Sequence, residues 1–207
     1  MIAIVDNQLG NLRSIWHKIT KLGFEAEVTS DPERIYQADK LILPGVGHFG
    51  SAVENLKSSG LYDVLQKAVT EQKKPILGIC LGMQLLTEYS EEGDAKGLGW
   101  IPLQTTKFSQ KDHPGLKVPH VGWSRLLLTK PSILFKDMPD ESLRFYFTHS
   151  YRVHQGQGEE AYGSANATYG DEFVAVIEKD HIFGTQFHPE KSHKSGMKII
   201  ENFIRHS

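Results

Sequence analysis

The first half of the chain alternates between two hydrophobic patterns, one typical of buried strands and one typical of helices. Short apolar runs at residues 2–6, 24–29, 40–43 and 75–79 predict strands. Two helices are indicated by apolar residues at helical spacing: Leu12, Ile15, Trp16, Ile19 and Leu22 in the first, and Leu61, Val64, Leu65, Ala68 and Val69 in the second. A short helix that ends at residue 38 is indicated by the cap at Asp31, and another by good helix formers at residues 83–89. This alternation predicts a mainly parallel sheet with helices on both faces.

The second half has a different pattern, with short strands and loops rather than strand and helix units. Strands are predicted at residues 101–108, 121–128, 143–148, 161–168, 172–178 and 182–187, largely antiparallel. A final helix is indicated by Met197, Ile200, Phe203 and Ile204, which share one face. The predicted fold class is therefore α/β, a mainly parallel central sheet plus an antiparallel β-rich portion, in a single domain over residues 1–207.

Composition narrows the class of protein. The chain has 207 residues, is 39% hydrophobic and 23% charged, and has a formal net charge of −2. No basic stripe with interleaved aromatic residues indicates nucleic-acid binding. The single cysteine excludes an internal disulfide. The N-terminus has no basic and apolar leader and no apolar run is long enough to span a membrane, so we expect a cytoplasmic protein that binds neither nucleic acid nor membranes.

The cysteine lies where a strand period changes to a helix period. Cys80 follows the apolar run 75–79 and is flanked by Gly78 and Gly82, which allow a tight turn. At such an elbow the side chain projects above the sheet, and the N-terminus of the following helix favours a thiolate. An isolated cysteine is more often a small buried hydrophobe. The glycine spacing resembles the nucleophile elbow of hydrolases, however, and predicts that Cys80 is a nucleophile.

A second polar group follows a later strand. Residues 183–187 run directly into His188, Pro189 and Glu190. A thiol that attacks an amide needs a base to take its proton and an acid to protonate the departing amine, and a histidine oriented by a carboxylate can do both. His188 and Glu190 fit these roles, although any one of the 10 histidines is by itself more often a surface residue.

Two other interpretations of these motifs are weaker. Cys80, His188 and His193 include metal-ligand types, but no paired cysteine or histidine motif accompanies them, so we expect no metal and no cofactor. Gly45, Val46 and Gly47 lack the spacing of a phosphate-binding loop. Their backbone N–H groups suit an oxyanion hole better.

Residues 78–84 together with residues 185–190 resemble the motifs of class I triad glutamine amidotransferases. Residues 11–14, 43–47, 117–123 and 149–151 are similar, more narrowly, to the glutaminase subunits of imidazole glycerol phosphate synthases, and the likeness runs nearly end to end. The resemblance implies a flavodoxin-like fold and hydrolysis of L-glutamine to glutamate and ammonia. The ammonia would pass to a cyclase subunit with a (β/α)8 barrel, in a heterodimer that serves histidine biosynthesis.

The resemblance also implies roles for individual residues. Cys80 would form a γ-glutamyl thioester while His188, held by Glu190, moves protons. The remaining expected site residues are Gly45, Val46, Gly47 and Leu81 at the oxyanion hole, Gln84, Ser150 and Tyr151 at the substrate, and Asn11, Arg13, His120 and Trp123 at the partner interface.

The chain departs from the family pattern at two places. Asn7 and Gln8 stand where the family commonly has tyrosine and glycine, and Ser124 stands where it commonly has asparagine. Both places lie in segments of this chain that are expected to face the partner, so the identity of the ammonia acceptor stays open. One alternative is a paralogue that serves another synthase, such as one that amidates a surface sugar. Amidotransferase subunits of anthranilate, aminodeoxychorismate or pyridoxal phosphate synthesis, a free-standing cysteine hydrolase and an inactive interaction module are others.

Overall fold

A computed structural model describes residues 1–154 and 162–207. The strands are β1 (Ile2–Val5), β2 (Ala26–Thr29), β3 (Lys40–Gly45), β4 (Ile76–Cys80), β5 (Thr87–Ser90), β6 (Ala95–Lys96), β7 (Ile101–Lys107), β8 (His120–Arg125), β9 (Leu127–Leu128), β10 (Arg144–His149), β11 (Tyr151–His154), β12 (Gly163–Tyr169), β13 (Asp171–Lys179) and β14 (Ile182–Thr185). The helices are α1 (Leu12–Lys21), α2 (Pro32–Gln37), α3 (Phe49–Ser58), α4 (Leu61–Gln66), α5 (Leu81–Leu85) and α6 (His193–His206). A π-helical turn, Lys67–Glu71, continues α4.

Side chains that cap the first helices explain where they begin. Asn11 accepts a hydrogen bond from the Ser14 backbone N–H at the start of α1. Asp31 does the same for the Glu33 N–H, and Pro32 then occupies the first turn of α2, where its missing N–H costs nothing. The sequence therefore defines these starts locally.

The main sheet has the strand order β2-β1-β3-β4-β14-β13-β11-β7-β5-β6, with β12 paired to β13 and to β9. The first five strands in this order pair in parallel, which confirms the predicted α/β fold with its mainly parallel central sheet. Strands β8 and β10 form a separate antiparallel pair. Strand β4 lies between β3 and β14, so the carboxyl ends of these three strands meet at one edge.

Two buried clusters cover the parallel sheet. Ala3 and Val5 of β1 pack in the cluster that contains α2, α3 and α4. Ile2 and Ile4 face the opposite cluster, which contains α1 and α6, because successive side chains of a strand point to opposite faces. In the described part of the chain, we find no helix with the length and hydropathy that a bilayer crossing requires.

Some predicted elements were wrong or incomplete. Helix α3 was not predicted, and residues 87–90 form strand β5 rather than the end of a helix. Strand β7 pairs in parallel with β5 and only its other edge, with β11, is antiparallel. The strand predicted over residues 161–168 is β12 from Gly163 onward, and Ala161 lies outside the described residues.

Candidate active site

Cys80 ends β4 and directly precedes α5 with a strained backbone. Its φ of 55° and ψ of −110° lie outside the regions that a residue with a Cβ normally adopts. The turn is also tightly packed, since a Cβ on Gly82 would lie 1.8 Å from the carbonyl oxygen of Leu43. Strain held by the neighbouring structure is typical of functional positions. The elbow predicted from the sequence therefore exists.

His188 and Glu190 form a buried pair just after β14. The Nδ1 of His188 lies 2.9 Å from Oε1 of Glu190, while the Nε2 of His188 is buried without a hydrogen-bond partner among the described residues. Burial lowers the pKa of His188, but its electrostatic interactions with Cys80 and Glu190 outweigh this effect and raise the pKa to about 9. The imidazole is thus held by Glu190 on one side and is electrostatically coupled to Cys80.

The Cys80 sulfur has two further neighbours. Its thiol donates to the Thr148 carbonyl oxygen at 3.9 Å, and the Gln186 amide Nε2 donates to the sulfur at 3.8 Å. Gln186 lies in the segment between β14 and His188 and is fully buried. Neither Thr148 nor Gln186 is among the site residues expected from the sequence.

A cavity of about 310 Å³ opens above Cys80. Its lining contains Val46, Gly47, Cys80, Leu81, Gln84, Glu92, Pro119, Thr148, His149, Ser150 and Tyr151. An open depression of about 650 Å³ along α1 is larger, but Cys80 does not line it. We place the candidate site in the smaller cavity because Cys80 lines it; His188 and Glu190 lie behind Cys80 and are not part of the lining.

The backbone of residues 45–47 lies beside Cys80. Gly45 pairs with Cys80 across β3 and β4, and Gly47 has a φ of 119°, a conformation that favours glycine. Leu81 begins α5, so its N–H has no partner one turn earlier in that helix. Asn7, a departure from the family pattern, donates through Nδ2 to the Pro44 carbonyl at 3.1 Å and thereby supports the loop.

Gln84 is oriented by two hydrogen bonds. Its Nε2 donates to the Tyr151 carbonyl at 2.9 Å and to Oε1 of Gln186 at 3.0 Å. Both amide hydrogens are thus occupied, and the side-chain carbonyl is the polar atom that remains for a ligand.

Glu92 is a cavity residue that sequence reasoning missed. One of its oxygens accepts from the Phe49 N–H at 2.9 Å, which fixes the carboxylate at the rim. A carboxylate in a small cavity is suited to a ligand with an ammonium group. The local sequence indicates only a loop here, and nothing in it distinguishes Glu92 from Glu91.

The four expected interface residues lie in different surroundings. Trp123 is 37% exposed and stacks on His193, with ring centroids 5.2 Å apart. Asn11 and Arg13 line the open depression along α1. His120, by contrast, is buried beneath β8, so its side chain is not on the surface of the isolated chain. No group of three or more His, Cys, Asp or Glu side chains within residues 1–154 and 162–207 is arranged to hold a metal ion.

Comparison with known proteins assigns the family. The sequence model described as "Glutamine amidotransferase class-I" matches residues 3–207. The chain belongs to the class-I glutamine amidotransferases. Among relatives of this amidotransferase, "Imidazole glycerol phosphate synthase subunit HisH 2" of Methanococcus maripaludis is 49% identical, with 99% of each chain covered. "Imidazole glycerol phosphate synthase subunit HisH 1" of Campylobacter jejuni is 46% identical, covering 99% of this chain and all (100%) of the relative.

Solved structures show the same amidotransferase fold at lower identity. "Structure of PurLQS from Thermotoga maritima" matches with a TM-score of 0.73 and 19% identity, over 98% of this chain and 96% of that one. "Crystal structure of glutamine amidotransferase" matches with a TM-score of 0.71 and 17% identity, over 98% and 96%. These likenesses confirm the fold class.

Proposed function

We propose that this amidotransferase is a single-domain glutaminase subunit that hydrolyses L-glutamine through a Cys80, His188 and Glu190 triad. The observation that carries the proposal is the position of Cys80, which lines a cavity on a strained elbow and is coupled electrostatically to the buried His188–Glu190 pair. The cavity volume of about 310 Å³ suits a small substrate such as an amino acid.

The two chemical steps follow from these groups. His188 takes the proton of the Cys80 thiol, and the sulfur attacks the side-chain amide carbon of glutamine. His188 then gives this proton to the departing nitrogen, so that the C–N bond breaks, ammonia leaves and a γ-glutamyl thioester remains. His188 then takes a proton from water, the resulting hydroxide attacks the thioester carbon, and glutamate leaves as the sulfur is released. Glu190 holds the ring by accepting from Nδ1, so that Nε2 is the atom that exchanges protons.

The negative oxygen of each tetrahedral intermediate needs donors close to Cys80. The Leu81 N–H and an N–H within residues 45–47 are suited to this role, since both segments adjoin Cys80 and line the cavity. Backbone donors are fixed before the substrate arrives, so they stabilise the charge without reorganising.

Recognition of the amino-acid end is assigned to the cavity wall. The free carbonyl oxygen of Gln84 and the carboxylate of Glu92 accept from the α-ammonium group, whereas the segment at Ser150 and Tyr151 faces the α-carboxylate. The Gln84 amide hydrogens are occupied by Tyr151 and Gln186, which argues against a contact from them to the carboxylate.

The names of the relatives support a second subunit. We propose that ammonia passes to a (β/α)8 cyclase subunit that makes imidazole glycerol phosphate in histidine biosynthesis, with Trp123, Asn11 and Arg13 at the contact. Trp123 and its neighbour Val121 are exposed apolar residues on β8, which suits a protein interface. His120 is buried on the opposite face of β8, so it can support the contact only by holding the strand in place.

The test is an assay of glutamate and ammonia from glutamine, with and without the cyclase co-expressed from the same genome. The proposal expects glutamine hydrolysis that Cys80→Ser abolishes, and glutamine-dependent formation of imidazole glycerol phosphate when the cyclase is present. Hydrolysis without transfer to this cyclase would reject the histidine pathway and favour a paralogous synthase. Absence of hydrolysis in every combination would reject the glutaminase.

A further inference from the structure

One backbone carbonyl orients the side chains around the nucleophile. The Tyr151 carbonyl oxygen accepts from Nδ1 of His149 at 2.7 Å and from Nε2 of Gln84 at 2.9 Å. A carbonyl oxygen can only accept, so both partners must present an N–H. The Tyr151 carbonyl oxygen therefore determines both the amide orientation of Gln84 and the tautomer of His149, because it cannot act as a donor.

The orientation of Gln84 determines that of Gln186. The second hydrogen on Nε2 of Gln84 points to Oε1 of Gln186, 3.0 Å away. Gln186 must then direct its own Nε2 in the other direction, where the Cys80 sulfur lies at 3.8 Å. An inverted amide would place two donors against each other at Gln84 and an oxygen against the sulfur.

The sulfur experiences different partners in its two protonation states. As a thiol, Cys80 donates to the Thr148 carbonyl at 3.9 Å. Once the proton has left, that carbonyl oxygen faces a negative sulfur and repels it. The Gln186 N–H faces the same sulfur with the favourable sign, and a hydrogen bond to a charged group is stronger than one between neutral groups.

We propose that Gln186 is a catalytic residue of this site, whose amide N–H holds the Cys80 thiolate in place for attack. The proposal deepens the glutaminase function and rests on it. It assigns to Gln186 a role separate from those of His188, which moves protons, and of the backbone donors, which stabilise the substrate oxygen.

The other donor to Tyr151 anchors the arrangement. Nε2 of His149 lies 3.2 Å from Nδ1 of His120, whose Nε2 lies 3.0 Å from the Ser124 hydroxyl. A continuous set of hydrogen bonds thus runs from β8 to the Tyr151 carbonyl and onward to Cys80. It keeps the carbonyl that orients Gln84 in one position.

Two variants of Gln186 separate donation from packing. Gln186→Met removes both hydrogen-bonding functions with little change in length. Gln186→Glu keeps an oxygen that accepts from Gln84 but replaces the donor to Cys80 by a carboxylate. Gln66→Met is the matched control, because Gln66 also makes two structural hydrogen bonds, to the Leu98 carbonyl and from the Trp100 indole, away from the cavity.

The experiment measures the rate of Cys80 alkylation by iodoacetamide at neutral pH, together with kcat and KM for glutamine hydrolysis. Loss of one hydrogen bond to a charged group predicts a decrease of about 10- to 100-fold in both alkylation rate and kcat for Gln186→Met, with KM little changed. Gln186→Glu should lose at least as much, and Gln66→Met should match the wild type.

Three outcomes would overturn the assignment. They are a wild-type alkylation rate in folded Gln186→Glu, a raised KM with unchanged kcat, and an equal loss in Gln66→Met. Circular dichroism identifies any variant that fails to fold. Because alkylation needs no glutamine, this measurement still decides the role of Gln186 if the wild-type chain turns out not to hydrolyse glutamine.

Discussion

His120 and His149 share a hydrogen bond of 3.2 Å that has a single direction. Nδ1 of His149 donates to the Tyr151 carbonyl, so its Nε2 accepts from Nδ1–H of His120, and Nε2 of His120 accepts from Ser124. We predict that ¹⁵N NMR will find both rings neutral at pH 7 with the proton on Nδ1. Ser124→Ala should preserve both tautomers, since Tyr151 determines them. A protonated Nε2 on either ring would contradict the network.

The same histidines predict how stability depends on acid. Burial lowers the pKa of His120 to about 4 and that of His149 to about 3, from 6.5 in the unfolded chain. Between these values the unfolded state binds more protons, so the free energy of unfolding should fall as pH drops below about 6.5. Denaturant titrations at several pH values should show that the free energy of unfolding decreases less on acidification in His149→Asn than in the wild type. An unchanged pH dependence in this variant would reject the lowered pKa of His149.

His188 predicts the opposite dependence at alkaline pH. Its pKa is raised to about 9, so its contribution to stability is complete below about 6.5 and is lost as pH rises through 9. His188→Asn should therefore remove part of the alkaline decrease in the free energy of unfolding. The matched comparison is His154→Asn on β11, where the side chain is exposed. This variant should keep the alkaline decrease in the free energy of unfolding. An equal alkaline decrease in the free energy of unfolding in His188→Asn and the wild type would contradict the raised pKa of His188.

Substitution of the three residues of the proposed triad should give a graded loss of glutamine hydrolysis. Cys80→Ser should abolish it without unfolding the chain, and a glutamine-analogue alkylator should label only Cys80. His188→Asn should lower kcat by about 10²- to 10⁴-fold, the usual share of a general acid and base. Glu190→Gln should be milder, because its amide oxygen can still accept from Nδ1. A greater loss in Glu190→Gln than in His188→Asn would mean that the roles are misassigned.

The loop at residues 45–47 can be tested with two glycines. Gly47 has a φ of 119° beside the cavity, and Gly99 has a φ of 73° with open space around it. Alanine is strained at both positions, so both variants should lose some stability. Only Gly47→Ala should lower kcat, by about 10²-fold, because it would move a backbone donor of the proposed oxyanion hole. A similar kcat in the two variants would remove the loop from catalysis, as would a pure increase in KM for Gly47→Ala.

Trp123 is predicted to anchor the partner subunit. The isolated chain should be a slow glutaminase that accelerates when the synthase is complete, and Trp123→Ala should reduce this acceleration while leaving the basal rate unchanged. Val28→Ala on β2 is the control, because Val28 is also exposed but lies on the outer strand of the main sheet. Full basal activity without a partner would reject the regulation, and retained acceleration in Trp123→Ala would reject the anchor.

The elbow and the His188 segment could be predicted from the sequence because both are local. In each, a buried strand is followed at once by a polar residue, and parallel pairing of β4 with β14 then brings the two ends together. Helix α3 could have been found in the same way. Phe49, Ala52, Val53 and Leu56 have helical spacing and are all buried, but the neighbouring glycines favour a loop.

Other site residues depend on contacts that no local pattern contains. Glu92 lines the cavity and Gln186 reaches the Cys80 sulfur only because segments distant in sequence fold together. The burial of His120, however, could have been predicted from the alternation of side chains along a strand. Residues 120, 122 and 124 of β8 point inward while Val121 and Trp123 point outward, so His120 and Trp123 cannot share an exposed face.

The cavity is built from two parts of the chain with different architecture. Cys80, Leu81 and Gln84 belong to the parallel sheet and the helix that follows it, whereas Pro119 and residues 148–151 come from the ends of the β8 and β10 pair and the start of β11. A Cβ on Gly82 has no room, so this glycine must be kept at the elbow. The opposite wall contains His149 and the Tyr151 carbonyl, which orient Gln84, but Pro119 and Ser150 are not part of that hydrogen-bond network. Engineering of the amide that this enzyme accepts should therefore vary positions 119 and 150 and leave the elbow, His149 and Tyr151 unaltered.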